Sequence, residues 1–190
     1  TMNDLFWNDA AGGYYFTAAD SEKLIVRVRQ VIDTQTPAAN GTMLENLVRL
    51  ALILQNKALG ARATDLLRAM GEEAGRQFIG AGTFINGVEY LANNLQIVVM
   101  GPRNNARTQE LLRTVWAKAL PNRLLWQVQS GDELPEGHPV KAKGLEGGAP
   151  TVYISQRWLI SEPFTSPVAL SQFLTLPVQV PAQDQRPVVH

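Results

Sequence analysis

One carboxylate is the best candidate for acid or base chemistry in this 190-residue chain. Asp33 lies among turn-forming residues just before a strongly apolar stretch. A carboxylate in such a loop, at the mouth of a helical barrel, could act as the acid or base in cleavage of a glycosidic bond. Alternatively, Asp33 accepts hydrogen bonds from loop N–H groups, or pairs with Arg27 or Arg29. Glycoside hydrolysis normally needs a second carboxylate. The candidates, among which the spacing does not choose, are Glu22, Glu45 and Glu89.

Aromatic and amide side chains near Asp33 could complete a sugar-binding pocket. Tyr14 and Tyr15 follow a Gly-Gly turn, and aromatic rings after such a turn can stack on a sugar. Asn40 is a polar residue at the start of the next helical pattern. We therefore predict substrate contacts from Tyr14, Tyr15 and Asn40. The alternatives are that the two tyrosines fill the core and that Asn40 caps the helix.

A second candidate site follows the first predicted strand. The segment 99–105 reads as strand, loop and helix start, and the N-terminus of a helix can bind a phosphate. Arg103 and Asn104 would assist at such an anion site. The segment lacks both the dinucleotide-binding glycine pattern and the Walker lysine. A plain loop between strand and helix, capped by an asparagine, is the alternative.

The composition excludes several kinds of chemistry. The chain has no cysteine, so disulfides, thiolate nucleophiles and cysteine-ligated zinc are excluded. Two histidines, His138 and His190, are too few for a histidine-based metal centre, and we predict neither a metal nor a cofactor. Basic and acidic residues balance at 17 each, so no nucleic-acid or membrane partner is expected. No transmembrane or signal-peptide pattern is found, and we expect a cytoplasmic protein.

The first half of the chain shows helical periodicity. An extended segment at 24–28 precedes a loop and a helix that is apolar on more than one side. Thr42 and Glu45 have the spacing of a capping box at the start of this helix, and Asn40 is a competing N-cap. The two helices that follow span about 58–73 and 75–93. The inward residues predicted for the latter are Phe78, Ala81, Gly82, Ile85, Val88 and Ala92.

The pattern changes at Asn94. Residues 95–100 form an apolar β-former run typical of a strand buried on both faces. A helix over 106–120 and a strand over 124–128 complete a β-α-β unit. A third strand over 151–155 and a closing helix over 167–174 follow. The fold class is therefore α+β: helical hairpins in 1–93, a three-stranded β-α-β-β-α subdomain in 94–175, and an extended or disordered tail in 176–190.

Several of these segments carry a family resemblance. The sequences GGYYFTAAD (12–20), LIVRVRQVID (24–33) and NLVRLA (46–51) are similar to the late barrel segment of the thioredoxin-domain proteins related to spermatogenesis-associated protein. The resemblance covers roughly 5–172. It implies the C-terminal portion of a protein that joins a thioredoxin-like domain to a six-hairpin, glycosidase-like α/α barrel. The partner would then be the remainder of the barrel or a second copy of the chain.

The chain departs from the family pattern at two places. Thr34 and Gln35 stand where the pattern has glycine and alanine after the aspartate, and the Ser-Gly before Asn40 is replaced. Ser155 and Ile160 stand where relatives have cysteines. These changes weigh against independent catalysis.

Three functional readings follow. The chain is a fragment of a carbohydrate-active barrel, hydrolase- or epimerase-like, with Asp33 in the pocket. Alternatively, it is a non-catalytic assembly module, or its β-α-β unit binds an anion or nucleotide.

Overall fold

The computed structural model describes residues 2–156 and 159–175 of the chain. Within them, six α-helices precede, interrupt and follow a four-stranded mixed sheet, so the fold is α+β. The helices are α1 (Met2–Phe6), α2 (Ala39–Leu54), α3 (Lys57–Arg76), α4 (Gly82–Asn93), α5 (Ala106–Trp116) and α6 (Pro167–Phe173). The strands are β1 (Leu95–Met100), β2 (Arg123–Val128), β3 (Thr151–Gln156) and β4 (Leu159–Ile160). The predicted tail at 176–190 lies outside the described residues.

Helix α2 lies at the centre of the helical half, packed against both α3 and α4. Two glycines allow the close approach of α2 and α4. A Cβ at Gly41 would lie 2.6 Å from the backbone nitrogen of Phe84, and one at Gly87 would lie 3.0 Å from Leu44 Cγ. Any larger residue at Gly41 would therefore strike backbone that cannot move aside.

The start of α2 differs from the prediction. The N-cap is Ala38 and not Thr42 or Asn40, so the capping box is wrong. The Thr42 hydroxyl instead donates to the Ala38 carbonyl, and Glu45 is bound by Arg49. No described side chain caps the N–H groups of the first turn of α2, and Asp33 accepts only from the N–H of Ala38 just before it.

The predicted helix over 75–93 is two elements. Helix α3 continues to Arg76, a 3-10 turn covers Phe78–Gly80, and α4 begins at Gly82. The break changes which residues face the core: Phe84, Gly87 and Tyr90 are buried. Phe78 and Ile85, which the periodicity placed inward, are 62% and 40% exposed. The periodicity predicts one continuous helix. The break after α3 changes which of the following positions face the core.

The sheet has the order β2-β1-β3-β4, with β1 parallel to β2 and antiparallel to β3. Strand β1 is buried along its whole length, as its continuous apolar run predicts. The prediction of three strands misses β4, a two-residue strand that pairs with β3. Helix α5 ends at Trp116, four residues short of the predicted end, before Pro121. One sheet face packs on α5 and α6, and the other on the segment 130–150.

Candidate functional site

Three stretches of chain meet where α2 and α4 begin. They are the Gly-Tyr-Tyr turn, the extended segment that ends at Asp33, and the N-terminal turn of α4. Isolated β-bridges join Trp7 to Tyr14 and Tyr15 to Arg29. The Asp33 N–H donates to the Gly80 carbonyl at 2.7 Å. The structure thus brings three of the predicted site residues, Tyr14, Asp33 and Asn40, to the entrances of the two central helices.

Asp33 bonds to both helix entrances. Its Oδ1 accepts from the backbone N–H of Ala38 at 2.8 Å, just before α2. Its Oδ2 accepts from the backbone N–H of Thr83 at 2.8 Å, in the first turn of α4. The alternative that Asp33 binds backbone N–H groups is confirmed. The predicted partners are engaged elsewhere: Arg27 binds the Leu5 and Thr17 carbonyls, and Arg29 binds those of Ala11 and Gly12.

These contacts set the charge state of the Asp33 carboxyl. Burial acts to raise its pKa, but the hydrogen bonds from Ala38 and Thr83 outweigh burial and hold the pKa below its usual range. Each helix entrance also carries partial positive charge, which favours the carboxylate. A carboxylate with a lowered pKa and one hydrogen bond on each oxygen is a weak base at neutral pH. A general acid needs the opposite, a raised pKa.

Asn40 is buried and bonds to two chain segments at once. Its Oδ1 accepts from the Tyr14 N–H at 2.7 Å. Its Nδ2 donates to the Tyr14 carbonyl and to the Gln30 carbonyl, each at 2.9 Å. Both amide protons are used, and the side chain is 1% exposed. The Asn40 side chain therefore joins the Tyr14 turn to the extended segment that ends at Asp33.

The two tyrosines have different environments. Tyr14 is 1% exposed, packs edge-on against Trp7 and donates its hydroxyl to Asn3 Oδ1 at 2.7 Å. Burial raises the pKa of Tyr14, and the nearby Arg62 opposes that rise. Tyr15 is half-buried, with the Arg27 guanidinium 4.0 Å from its ring centre. One face of Tyr15 is thus covered by a cation, and Tyr14 is a core residue.

The candidate second carboxylates have local partners or face solvent. Glu45 forms an ion pair with Arg49 at 2.6 Å, and Glu89 accepts from the Asn93 and Asn122 side chains. Glu22 is exposed. Among the described residues, no cluster of three or more histidine, aspartate or glutamate side chains could hold a metal ion.

The predicted anion site lies where an asparagine caps α5, as the alternative for this segment expects. The cap is Asn105, which accepts from the N–H groups of Arg107 and Thr108. Arg103 donates to Gln127 Oε1 at 2.8 Å. Asn104 is exposed. Two of the N–H groups that an anion would use are therefore occupied, and anion binding by Arg103 and Asn104 stays a prediction.

Sequence reasoning missed the residues that complete the Asp33 site. The partner at Thr83 is a backbone group 50 positions away, and no side-chain pattern signals it. Gly80 and Gly82 give a partial signal, because both flank a turn beside Asp33. A Cβ at Gly82 would lie 3.4 Å from Asp33 Oδ2.

Comparison with known proteins gives a distant relationship. No family model matches the chain. It is 28% identical over 183 residues to spermatogenesis-associated protein 20 of Homo sapiens, and equally to that of Mus musculus. Each alignment covers 92% of this chain but only 23% of the relative, so the chain spans about a quarter of the length of these proteins. None of the helices within 2–156 and 159–175 is long and apolar enough to cross a membrane. The chain is a distant homologue of spermatogenesis-associated protein 20.

Proposed function

We propose that this chain is a non-catalytic assembly module of a larger helical protein, which packs an exposed apolar surface against the rest of that protein. The surface, here called the apolar ridge, consists of the segment Leu24–Val28 with Phe78 and Ile79. Leu24, Ile25, Val26 and Val28 are 50%, 104%, 68% and 57% exposed. Ile79 is 88% exposed. This exposure is the observation that carries the proposal.

The two parts of the apolar ridge are linked through the chain. The extended segment runs on from Val28 to Asp33, which binds the Gly80 carbonyl directly after Ile79. The Ile32 side chain fills the space beside Gly80, at 3.0 Å from where a Cβ would lie. Apolar side chains exposed in consecutive positions mark an interaction surface more often than isolated exposed residues do.

The relatives are long enough to supply a partner surface outside the aligned part. They are about four times as long as the aligned part, since this part covers 23% of their length. A helical partner surface with its own apolar face would cover the ridge. The finer reading, in which α2, α3 and α4 belong to a six-hairpin barrel in a protein that also has a thioredoxin-like domain, is part of this proposal.

The use of Asp33 and Asn40 favours assembly over catalysis. Both side chains hold the helix entrances and the Tyr14 turn together, with every carboxylate and amide oxygen accepting at least one backbone bond. Within residues 2–156 and 159–175, the candidate second carboxylates Glu45 and Glu89 bind other side chains, and Glu22 is exposed. The carbohydrate-active reading, with Asp33 as catalytic group, stays a prediction.

The test is the association state of the isolated chain. We expect the wild-type chain to self-associate in sedimentation velocity, because the ridge has no partner there. The double variant I25S/V26S should sediment as a monomer near 20.9 kDa with an unchanged melting temperature. Val168→Ser is the matched control: Val168 is 66% exposed but lies on α6, outside the ridge. A wild-type chain that is monomeric at high concentration would contradict the proposal.

The native context gives an independent test. Peptides of this chain, identified by mass spectrometry from a denaturing gel of its native host, should come from a band several times larger than 20.9 kDa. A band at the size of the chain itself would exclude the larger protein as the partner. A second copy of the chain would then be the remaining candidate.

A further inference from the structure

An open cleft of about 620 Å³ lies between the helical half and the sheet. Arg49 of α2 lines one side, and Arg123 at the start of β2 lines another. The remaining lining side chains are apolar and come from the end of α5, the turn after it and β2: Trp116, Ala119, Leu120, Pro121, Leu124 and Leu125. A volume of about 300–1,000 Å³ with mostly apolar walls and few polar groups is typical of small-molecule sites.

The Arg123 guanidinium is fixed by neighbouring groups and has no acidic partner among the described residues. Its guanidinium lies 4.3 Å from the centre of the Trp116 ring, and its Nη1 donates to the Lys118 carbonyl at 3.1 Å. The residue is half-buried, and no carboxylate within the described ranges forms an ion pair with it. A partly desolvated guanidinium in a fixed orientation favours an anionic partner, because its plane matches a carboxylate or phosphate.

Arg49 is also held in place, by different contacts. Its guanidinium lies 4.4 Å from the centre of the Tyr90 ring. Its Nε and Nη2 both bind the same oxygen of Glu45, at 2.8 and 2.6 Å. No ion pair of its Nη1 is found within the described residues. The charged side chains of the lining are Arg49 and Arg123, and Glu45, which pairs with Arg49, lies outside the lining.

We propose that this cleft binds an amphipathic organic anion, with the carboxylate or phosphate at Arg123 and Arg49 and the apolar body against Trp116 and the leucines. The cations supply the charge complementarity, and the apolar wall selects against small inorganic anions. The site shares no residue with the apolar ridge and does not depend on the proposed assembly function.

Octanoate is a suitable probe, and octanol is its matched neutral control. We expect isothermal titration calorimetry at low salt to show saturable binding of octanoate at one site. Octanol should bind at least about tenfold more weakly, because charge-assisted hydrogen bonds to arginine are stronger than neutral ones. Inorganic phosphate should bind more weakly than octanoate, because it has no apolar body.

Variants separate the cleft from general charge effects. Arg123→Gln should weaken octanoate binding about tenfold, and Arg123→Lys should give an intermediate loss, because a lysine keeps the charge but not the planar fork. Arg68→Gln is the control: Arg68 is an exposed arginine on α3 that pairs with Asp65. It should bind octanoate like the wild type.

Several outcomes would overturn the proposal. They are no saturable octanoate binding, equal affinity for octanol, and an Arg123→Gln variant that keeps its melting temperature and binds normally. An equal loss in Arg68→Gln would show non-specific attraction to charge and would also overturn it. If Arg123→Gln fails to fold, the Arg123→Lys and Arg49→Gln variants decide between these outcomes.

Discussion

The buried polar groups around Asp33 and Asn40 differ sharply from those under the segment 130–150. At the helix entrances, the oxygens of Asp33 and the whole amide of Asn40 have backbone partners. On the loop-covered face of the sheet, several buried polar atoms have none within the described residues: Gln96 Oε1, Ser155 Oγ, Trp126 Nε1 and His138 Nε2. Hydrogen bonds such as those of the first set stabilise a fold, whereas a buried polar atom that stays unpartnered costs stability.

Strand register explains why the unpartnered atoms lie together. Gln96 is directly opposite Ser155, and Val98 is directly opposite both Trp126 and Tyr153. Because alternate residues of a strand share a face, Gln96, Ser155 and Trp126 all lie on the sheet face that 130–150 covers. Gln96 and Ser155 are two residues nearer the start of β1 than the pair formed by Val98 and Trp126. The ring of His138, 3% exposed, stands edge-on to Trp126 at 5.6 Å. The four unpartnered atoms therefore lie on or against one face of the sheet within the described residues.

The largest expected effect on stability comes from removing the Asn40 side-chain amide. Asn40→Ala leaves the N–H and carbonyl of Tyr14 and the carbonyl of Gln30 without their partner. At about 1–3 kcal/mol for each buried group left unsatisfied, the free energy of unfolding should fall by at least about 3 kcal/mol. Urea denaturation followed by circular dichroism measures this loss. Asn104→Ala, at an exposed asparagine, is the control and should change stability by under about 0.5 kcal/mol.

The next effect is that of Asp33→Asn. An amide can accept one of the two N–H groups but not both, so we expect a loss of about 1–3 kcal/mol at pH 7. Asp33 has a lowered pKa in the folded chain, so its contribution is present above the unfolded pKa of about 3.9 and is lost as pH falls through the folded value. The stability difference between wild type and variant should therefore shrink below about pH 4. An undiminished difference at low pH would show that the charge of Asp33 is not what stabilises the helix entrances.

A change of the opposite sign is expected at Ser155. Ser155→Ala removes a buried hydroxyl that has no hydrogen-bond partner among the described residues. Unfolding free energy should stay the same or rise by up to about 1 kcal/mol, because no hydrogen bond is lost with the hydroxyl. A clear loss of stability in urea denaturation would mean that the hydroxyl has a partner, and the contrast with Asn40 would disappear.

The smallest effect is the pH dependence that comes from His138. Burial lowers the pKa of its imidazole, and its Nδ1 accepts from the Val140 N–H, so the folded chain favours the neutral ring. Below the unfolded pKa of about 6.5, the unfolded state binds the proton more readily and stability falls. His138→Asn keeps an acceptor near the Nδ1 position and should flatten the stability curve between about pH 7 and 5. An identical slope in wild type and variant would exclude His138 as the source.

The sequence predicted the elements with strong local patterns and missed the contacts made between distant positions. The apolar run of β1 and the periodicity of α5 are local signals: β1 has the predicted bounds, and α5 begins where predicted but ends four residues earlier. The break between α3 and α4 was missed because Phe78 and Ile85 fit a helical period although they are exposed. The role of Asp33 was open because Thr83, one of its two partners, is a backbone group that any residue would supply. Composition could not show the unpartnered face of the sheet either, since it depends on register.

Asn40 has a further consequence for how the chain can vary. By binding Tyr14 and Gln30 together, it closes the intervening stretch into a loop whose two ends are fixed. Residues 20–26 in that loop are all exposed. Loop-closure entropy grows slowly with length, by only about 0.6 kcal/mol per doubling. Insertions and deletions between 20 and 26 should therefore be tolerated by the helical core, so that one scaffold can present apolar ridges of different length and shape.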